Sequence, residues 1–349
     1  MKISIGTNIK DGPWGGGNLF AKNLKLFLEN RGIQVINHLN DDDIDLILIT
    51  EPRKTSESSA FTHIDVKKYL KFVNTNTVVA HRLNECDERK GTNYVNKYLI
   101  EANKVATYSI YVSKWLMNLY LSQGITSKKN DVVYAGANEN IFNRNNFNPW
   151  VRGEKLKIVT HHWGANWNKG FETYLLLDEL ISSKNWKDKL EFTYIGNIPK
   201  NLKFKNSHHI QPLSGEKLAE EIKKHHLYIT GSLNEPSGNH HIEAAQCGLP
   251  IMYLNSGGTP EYCSGFGVEF KNQTLEEDLI KMIANYELTV ENIKKYPFNS
   301  TKMCQDYLSI FKKMIENPEK KIISNENKIL FQIKKKYFLI LKRFKTKNY

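Results

Sequence analysis

The stretch from Leu227 to Glu261 carries the strongest fold signal in this chain of 349 residues. Its apolar segments, L-Y-I-T at 227–230 and P-I-M-Y-L at 250–254, predict two strands. Between them, a helix is predicted to begin near Asn239 and to end at Gly248, because glycine commonly terminates helices. Two strands joined by a helix in this way form one α/β unit of a parallel sheet.

The loop before this helix predicts a ligand site. Glu235, Pro236, Ser237 and Gly238 lead from the carboxyl end of a strand into a helix N-terminus, where small residues leave backbone N–H groups accessible. Ligands of open parallel sheets bind at the carboxyl ends of the strands. We therefore expect an anionic or hydroxyl-rich ligand at this loop.

Two carboxylates of this stretch, Glu235 and Glu243, are eight positions apart. The first lies in the loop and the second lies inside the helix, about 6 Å along its axis, so they can reach different parts of one ligand. The simpler alternative is that Glu235 is an acid of the first turn, favoured by the helix dipole. The residues alone leave both interpretations open.

Chain length and a repeated alternation of strands and helices predict two domains, since single cores rarely grow past about 250–300 residues. The polar segment 143–153 reads as the linker, and a new strand begins at Lys155. We expect an α/β protein of two Rossmann-like domains, 1–148 and 149–297, that face a cleft. A helix at 298–316 and a basic tail at 317–349 are expected to follow.

Two turns of the first domain are candidate sites. Gly15, Gly16 and Gly17 follow the first strand and precede a helix, which predicts an anion-binding turn, with a flexible turn as the alternative. The fourth strand is predicted at 77–80, so the polar run after it should lie at a carboxyl end, where such residues commonly form sites. The candidates in that run are His81, Arg82, Asn84 and Asp87.

In the second domain, Lys169 begins a helix, where its ammonium can meet a phosphate; a solvent-facing lysine is the alternative. A metal interpretation of the four His-His doublets is disfavoured, because adjacent side chains on a strand point to opposite faces. The acidic cluster at 41–45 precedes a strand and is therefore at the wrong end for a site. We expect neither a metal ion nor a cofactor.

Composition limits the environment and the partners. The four cysteines form no C-x-x-C pair, which favours a reducing compartment. The first apolar run is too short for a signal peptide and no run of 18 apolar residues exists, so we expect a soluble, cytoplasmic chain. Residues 320–349 supply +9 of the net charge of +12, which leaves the body nearly neutral and argues against nucleic-acid binding.

The basic tail places apolar residues at helical spacing among lysines. This pattern favours an interfacial helix on an anionic membrane, and hence a peripheral location at the inner face of the plasma membrane. A solvated extension and a helix that binds a partner are the alternatives.

Residues 235–261 resemble the signature of the GT-B-fold glycosyltransferases of the retaining, family-4 type, the glycosyl transferases of group 1. The shared features are two glutamates separated by seven residues, then A-A-x-C-G-L-P-I and S-G-G-T-P-E. The resemblance covers roughly residues 1–316, strongly in the second half and loosely in the first. It implies that 1–148 form the acceptor-side domain and 149–297 the domain that binds the nucleotide sugar. It also implies that the helix at 298–316 crosses back onto the first domain.

The resemblance also implies roles for individual residues. Glu235 and His81 would lie by the donor sugar as catalytic residues, and Glu243 would bind the nucleotide ribose. The family commonly has an arginine about six residues before the lysine at 169, and Trp163 stands there in this chain. We expect His162 to make the phosphate contact of that arginine instead. Arg82, Asn84 and Asp87 would contact acceptor or donor. The nucleotide-sugar site would comprise Gly15, Gly16, Gly17, His162, Lys169, Gly196, Ser237, Gly238, Asn239, His240, Glu243, Gly257, Gly258 and Thr259.

By resemblance, the chain would transfer a sugar from a UDP- or GDP-sugar to a glycan or lipid-linked acceptor with retention. The pathway would be bacterial surface polysaccharide synthesis, of lipopolysaccharide or capsule. Alternatives are a nucleotide-sugar 2-epimerase on the same fold and a non-catalytic basic module that binds membrane or RNA. A nicotinamide-dependent enzyme is disfavoured, because no G-x-G-x-x-G follows the first strand of either half.

Overall fold

The computed structural model describes residues 1–10, 15–126, 129–319, 332–333 and 335–340. Most of the predicted membrane-binding tail therefore lies outside the described residues. The described strands form two six-stranded sheets in which every strand pair is parallel. The predicted class of two Rossmann-like α/β domains is confirmed.

The first sheet has the strand order β2-β1-β3-β4-β5-β6. One of its central strands, at 46–49, is a continuous apolar run, because helices cover both faces of a parallel sheet. The strands are β1 Lys2–Ile5, β2 Gln34–Ile36, β3 Leu46–Ile49, β4 Val78–Leu83, β5 Tyr108–Tyr111 and β6 Lys129–Val132. The helices between them are α1 Gly16–Glu29, α2 His63–Phe72, α3 Asp87–Lys90, α4 Val95–Asn103 and α5 Lys114–Ser122.

The second sheet has the order β12-β11-β10-β7-β8-β9, so the first strand of the domain, β7, lies in the middle beside β10, which leads into the predicted loop. The strands are β7 Leu156–His162, β8 Leu190–Gly196, β9 His208–Ile210, β10 Leu227–Thr230, β11 Ile251–Leu254 and β12 Gly267–Phe270. The helices are α6 Phe171–Leu180, α7 Gly215–Ile222, α8 Asn239–Gln246, α9 Thr259–Cys263, α10 Leu275–Ala284, α11 Tyr286–Ile293 and α12 Ser300–Glu316.

Helix α12 returns to the first domain, as the resemblance implied. Its buried face, which includes Met303, Tyr307 and Phe311, joins the apolar core formed by α1 and β1. The rings of Tyr307 and Phe20 have centroids 4.9 Å apart. The predicted boundary between residues 148 and 149 falls between β6 and β7, and the exact domain limits stay a prediction.

Two strand boundaries differ from the sequence prediction. Strand β4 runs to Leu83 rather than Ala80, and β7 includes His161 and His162, which were expected in a turn. The polar residues His81 and His161 were interpreted as the points where the strands end. Their side chains instead have buried partners, so the backbone pairing of each strand continues past them. His162 pairs with Gly196, where a Cβ would lie 1.9 Å from the His162 carbonyl oxygen, so only glycine permits this register.

The junction with α12 yields a first testable prediction, at Gly136. A Cβ added there would lie 2.1 Å from the backbone carbon of Asn299, beside the hydrogen bond from Ser300 N to Ala137 O. Because backbone atoms cannot yield as a side chain does, we expect Gly136→Ala to lower the free energy of unfolding by about 3 kcal/mol. Urea denaturation measures the change.

Gly17→Ala is the matched control for this prediction, since a Cβ at Gly17 meets no atom within 4 Å. Alanine also has the higher helix propensity at this position in α1, so the control should be at least as stable as the wild type. Equal stability of the two variants would contradict the close contact at Gly136.

Candidate functional site

The carboxyl ends of the two sheets meet at the interface between the domains. A Cβ at Gly16, at the start of α1, would lie 3.0 Å from Asn239 Nδ2, at the start of α8. A Cβ at Gly258 would lie 2.7 Å from Ser113 Oγ of the other domain. Gly16 and Gly258 therefore each lie close to a residue of the other domain, and glycine allows this close approach.

The centre of this region is the buried carboxylate of Glu235. Lys169 Nζ lies 2.6 Å from its Oε2, and Arg89 Nε lies 3.1 Å from its Oε1. Lys169 belongs to the second domain and Arg89 to α3 of the first, so the two domains meet on one carboxylate. Glu85 in turn contacts Arg89 Nη1 at 3.0 Å and Lys90 Nζ at 3.2 Å.

Charge and burial act against each other in this cluster. Burial would raise the pKa of Glu235, but the charges of Arg89 and Lys169 outweigh it and hold that pKa well below its usual range. Burial lowers the pKa of Lys169, against the attraction of Glu235. The charge of Glu235 raises the pKa of Arg89 above its ordinary value. Glu235 is therefore an ionised acid at neutral pH, with the charged guanidinium of Arg89 and the amine of Lys169 as its partners.

Local backbone geometry shapes the loop that carries Glu235. Asn234 has φ = 52°, and its N–H donates to Ser256 Oγ at 2.8 Å. Gly257 has φ = 64°, and the N–H of Gly258 donates to the Glu235 carbonyl at 2.8 Å. These bonds fasten two loops of the second sheet together, so the side chain of Glu235 is held at the interface.

Glu243 has a different environment, as the sequence predicted. It lies inside α8 and is buried, and its Oε2 is 2.9 Å from His161 Nε2. His161 also packs edge-on against Tyr228, with ring centroids 5.6 Å apart. The two glutamates therefore do not share partners, and Glu243 keeps one oxygen that His161 does not contact.

Three further histidines of the second domain are buried and neutral. Burial is the main cause that moves the pKa of His162, His240 and His241 below the ordinary value. His162 Nε2 lies 2.6 Å from the hydroxyl of Tyr174, and His240 Nε2 lies 2.9 Å from Thr230 Oγ1. As a neutral ring, His162 cannot supply the positive charge expected of a substitute for the missing arginine.

The sequence placed His81 and Arg82 beyond β4, and this position was wrong. His81 lies within the strand, fully buried, with Nδ1 3.1 Å from Asn103 Nδ2 of α4. Arg82 is also buried, and its guanidinium carbon lies 4.0 Å from the ring centroid of Phe20 in α1. Among the described residues, His81 and Arg82 thus contact helices of the first domain and α12, rather than Glu235.

Asp87 has a structural role that the sequence did not reveal. Its carboxylate accepts hydrogen bonds from the backbone amides of Tyr94, Val95 and Asn96, which begin α4. Burial would raise the pKa of Asp87, but these bonds and one from Thr92 lower it. Because its lone pairs are used within the first domain, the predicted contact with acceptor or donor is not supported; Asn84 stays a prediction.

The remaining predicted residues follow or end strands of the second sheet, at their carboxyl ends. Gly238 has φ = 72° and begins α8, while Ser237 and Asn239 flank it. Gly196 ends β8, and its carbonyl oxygen lies 2.8 Å from His209 Nε2. Thr259 begins α9 and is buried, and its hydroxyl has no partner among the described residues. Their role in donor binding stays a prediction.

Sequence reasoning included Arg89 in a polar loop without giving it a role, and it missed His161; these two residues contact the two glutamates. Arg89 lay in the polar run after β4, but its partner is 146 positions away. His161 was considered as part of a doublet and set aside with the metal interpretation. The signal for both was a charged or polar side chain close to the carboxyl end of a strand. Within the described ranges, no group of three or more His, Cys, Asp or Glu side chains is arranged to hold a metal ion.

The buried histidines predict how stability depends on pH. Burial lowers the pKa of His81 and of His241 to about 3. Because a histidine of the unfolded chain has a pKa near 6.5, the unfolded state binds more protons below that pH. We expect the free energy of unfolding to fall as the pH drops below about 6.5, by roughly 1.4 kcal/mol per such histidine at pH 5.5. Urea denaturation between pH 7.5 and 5.5 measures this.

His81→Gln is the informative variant for this pH dependence. It removes one proton-binding group of the unfolded chain, so the decline in stability between pH 7.5 and 5.5 should lessen by roughly 1.4 kcal/mol. His208→Gln, at an exposed histidine, is the control and should leave the decline unchanged. An equal decline in all three proteins would show that His81 titrates normally in the folded state.

This arrangement of two facing parallel sheets with a returning terminal helix is the GT-B fold. The chain is similar in structure to HepE of Anabaena in complex with UDP-glucose, at TM-score 0.65 and 13% identity, over 90% of this chain and 100% of that one. It is similar to the lipopolysaccharide outer core galactosyltransferase WaaB, at TM-score 0.64 and 12% identity, over 90% and 100% of the two chains. WaaG, a glycosyltransferase involved in lipopolysaccharide biosynthesis, gives TM-score 0.60 and 13% identity, over 89% and 99%.

No protein-family model matches the chain, and no curated protein matches it. The likeness to the solved structures therefore shows the fold. In the part of the chain that the structure describes, no helix has the length and apolarity to cross a membrane.

Proposed function

We propose that this protein is a glycosyltransferase that moves a sugar from a nucleotide-diphosphate sugar to a glycan or lipid-linked acceptor, with retention at the anomeric carbon. The observation that carries the proposal is the carboxylate of Glu235, held between Lys169 and Arg89 where the two domains meet. It lies on the loop that leads into α8 of a GT-B fold. The arrangement pairs an ionised acid with cations, as a sugar bound to a diphosphate requires.

The cations and helix N-termini suit the leaving group. When the bond between sugar and diphosphate breaks, negative charge grows on the departing phosphate. Lys169 can stabilise this charge without a metal ion, and the backbone N–H groups at the starts of α8 and α1 can donate hydrogen bonds to an anion. Fixed donors of this kind need no rearrangement during the reaction, which is the condition for effective electrostatic catalysis.

The carboxylate of Glu235 suits the sugar side of the breaking bond, the anomeric carbon. As the leaving group departs, the anomeric carbon gains positive charge, which an ionised Glu235 beside the sugar stabilises. The departing phosphate can accept the proton of the acceptor hydroxyl, so no separate base is required. The geometry supports Glu235 in the catalytic role and gives His81 a place in the interior of β4.

Glu243 is proposed to bind the ribose of the nucleotide. Its contact with His161 orients the carboxylate, and the remaining oxygen can accept a hydrogen bond from a ribose hydroxyl. Because it lies inside α8 while Glu235 lies in the preceding loop, both glutamates can contact one extended nucleotide sugar.

The nature of the donor and the pathway are proposed from the similar structures. HepE was solved with UDP-glucose, WaaB is a lipopolysaccharide outer core galactosyltransferase, and WaaG is involved in lipopolysaccharide biosynthesis. We therefore propose a UDP-sugar as the donor, with a GDP-sugar as the alternative, and an acceptor in surface polysaccharide synthesis.

A location at the inner face of the plasma membrane is part of the proposal. Residues 335–340 are helical and expose the side chains of Tyr337 and Ile340. The ring of Phe338 packs against Phe72 of α2, with ring centroids 5.4 Å apart. Apolar side chains exposed beside lysines fit an anionic lipid surface. A solvated tail and a partner-binding helix are the other outcomes of a vesicle-binding test.

Thermal stability in the presence of nucleotides tests the function first. Ligands that bind only the native state raise the melting temperature, so UDP, GDP, ADP and inorganic phosphate should be compared. We expect UDP or GDP to raise it and inorganic phosphate to have little effect. A protein that ignores every nucleoside diphosphate and sugar nucleotide would overturn the proposal.

Incubation with the donor alone separates a transferase from a 2-epimerase. An epimerase changes the sugar without an acceptor, whereas a transferase leaves it intact apart from slow hydrolysis. With an acceptor, nuclear magnetic resonance of the product gives the anomeric configuration, and an inverted product would contradict retention.

A further inference from the structure

Helix α3 of the first domain lies against the loops of the second domain that carry Lys169 and Glu235. The side chain of Arg89, in this helix, donates a hydrogen bond to Glu235. The backbone carbonyl oxygen of Arg89 also accepts a hydrogen bond from Asn168 Nδ2 at 3.1 Å. The carbonyl of Glu88 accepts another from Asn234 Nδ2 at 3.3 Å. Three contacts from one short helix hold Arg89 beside the neighbouring loops, so its guanidinium has a defined place at the interface.

The second domain presents little positive charge at this place. Its turn has Trp163, with the indole 53% exposed, where the resembled glycosyltransferases commonly have an arginine. The neighbouring His162 is neutral, because burial holds its pKa well below the ordinary value. Lys169 is therefore the cation that the second domain brings to Glu235, and it is matched by that carboxylate.

We propose that Arg89 is a contact residue for the diphosphate of the donor, supplied by the first domain in place of the arginine absent at position 163. The inference rests on the glycosyltransferase function proposed above and names a further residue of the same site. The planar guanidinium can bind two phosphate oxygens at once, and it remains charged at every pH at which the protein is folded.

The balance of charge requires such a residue. Lys169, Arg89 and Lys90 face Glu235 and Glu85, which leaves the cluster with one net positive charge. Without Arg89 the cluster would be neutral, and an entering diphosphate would meet no net attraction. Arg89 is also within reach of water, since its side chain is 26% exposed, whereas that of Glu235 is 7% exposed.

Arg89 also couples donor binding to the contact between the domains. In the unliganded protein it neutralises Glu235, which lies in the second domain. When a diphosphate enters, the guanidinium can turn from Glu235 Oε1 to a phosphate oxygen. That oxygen of Glu235 is then free to face the sugar, and the diphosphate joins a cation of each domain.

Calorimetric titration with UDP and with GDP tests the inference, and the tighter-binding of the two is used throughout. We expect Arg89→Gln to weaken that affinity by about 10- to 100-fold, the effect of losing hydrogen bonds to a charged group. Arg89→Lys keeps the positive charge but loses the planar guanidinium that can bind two oxygens. Its nucleotide affinity should lie between those of the wild type and Arg89→Gln. Arg152→Gln is the matched control, because Arg152 binds Glu287 on an exposed surface.

Two double variants separate a direct contact from an indirect one. If Arg89 touches the diphosphate, Arg89→Gln still weakens binding when Glu235 is already glutamine, and Trp163→Arg restores much of the affinity lost in Arg89→Gln. If Arg89 acts only by neutralising Glu235, its replacement has no effect in the Glu235→Gln protein, and the inference is overturned. The melting temperature of each unliganded variant shows whether it is folded.

Failure of this inference differs from failure of the proposed function. A wild-type protein that binds neither UDP nor GDP contradicts the function itself. A wild-type protein that binds one of them, with equal affinity in folded Arg89→Gln, contradicts only the role given to Arg89.

Discussion

Replacing Glu235 with glutamine is expected to lower turnover by about 100-fold or more, with a much smaller change in donor affinity. Glutamine preserves the shape of the side chain but removes the negative charge that faces the sugar. That charge matters most when the anomeric carbon becomes positive, so its loss affects kcat rather than the ground-state complex. Steady-state measurement of kcat and KM for the donor gives both quantities.

Glu287→Gln is the control for this experiment. Glu287 is exposed, and its partner Arg152 is exposed as well, so its replacement should leave kcat and KM at wild-type values. Since Glu235→Gln leaves Lys169 and Arg89 without an acid between them, its melting temperature should be recorded to show that the protein is folded. Unchanged turnover in a folded Glu235→Gln protein would refute the role given to this residue.

Replacing Lys169 with methionine is expected to produce the second large effect, on donor binding. The ammonium is the second domain's contribution to phosphate binding, and its loss should weaken UDP or GDP binding by about 100-fold. Stability should fall by about 3 kcal/mol, the lower end of the range for a broken buried ion pair, because Arg89 still contacts Glu235. Calorimetric titration and urea denaturation measure the two effects.

Lys224→Met is the matched control, because Lys224 is exposed and forms an ion pair with Glu221 at the surface. Its affinity and stability should equal those of the wild type, since surface ion pairs contribute little. Lys169→Arg retains the charge and should bind more tightly than Lys169→Met. Equal nucleotide affinity in Lys169→Met and in the wild type would exclude Lys169 from the phosphate site.

The fold could be predicted from sequence because its signals are local. The strands at 227–230 and at 251–254, with the helix between them, follow from apolar runs and one terminating glycine. The returning helix at 300–316 was implied by resemblance, and its apolar stripe now lies in the core of the first domain. Each of these features depends on residues within a few helical turns of one another.

The rest of the candidate site depends on partners far apart in the chain. His81 and Arg82 were interpreted as loop residues because polar side chains usually leave a buried strand, yet Asn103 and Phe20 accommodate them inside the domain. Asp87 was predicted to contact the acceptor or donor, although its carboxylate accepts hydrogen bonds from the first backbone amides of α4. The pairing of Arg89 with Glu235 joins two domains, and no local pattern specifies it.

One further contact between the domains involves the start of α5. Ser113 accepts a hydrogen bond from Leu116 N, while Glu261 of the second domain accepts from the amides of Lys114 and Trp115. A helix of one domain is thus completed by an acid of the other. Such an interaction at a helix N-terminus contributes about 1 kcal/mol, little more than thermal energy. Any separation of the two domains would therefore leave the amides of Lys114 and Trp115 without this acceptor, at a cost of about that size.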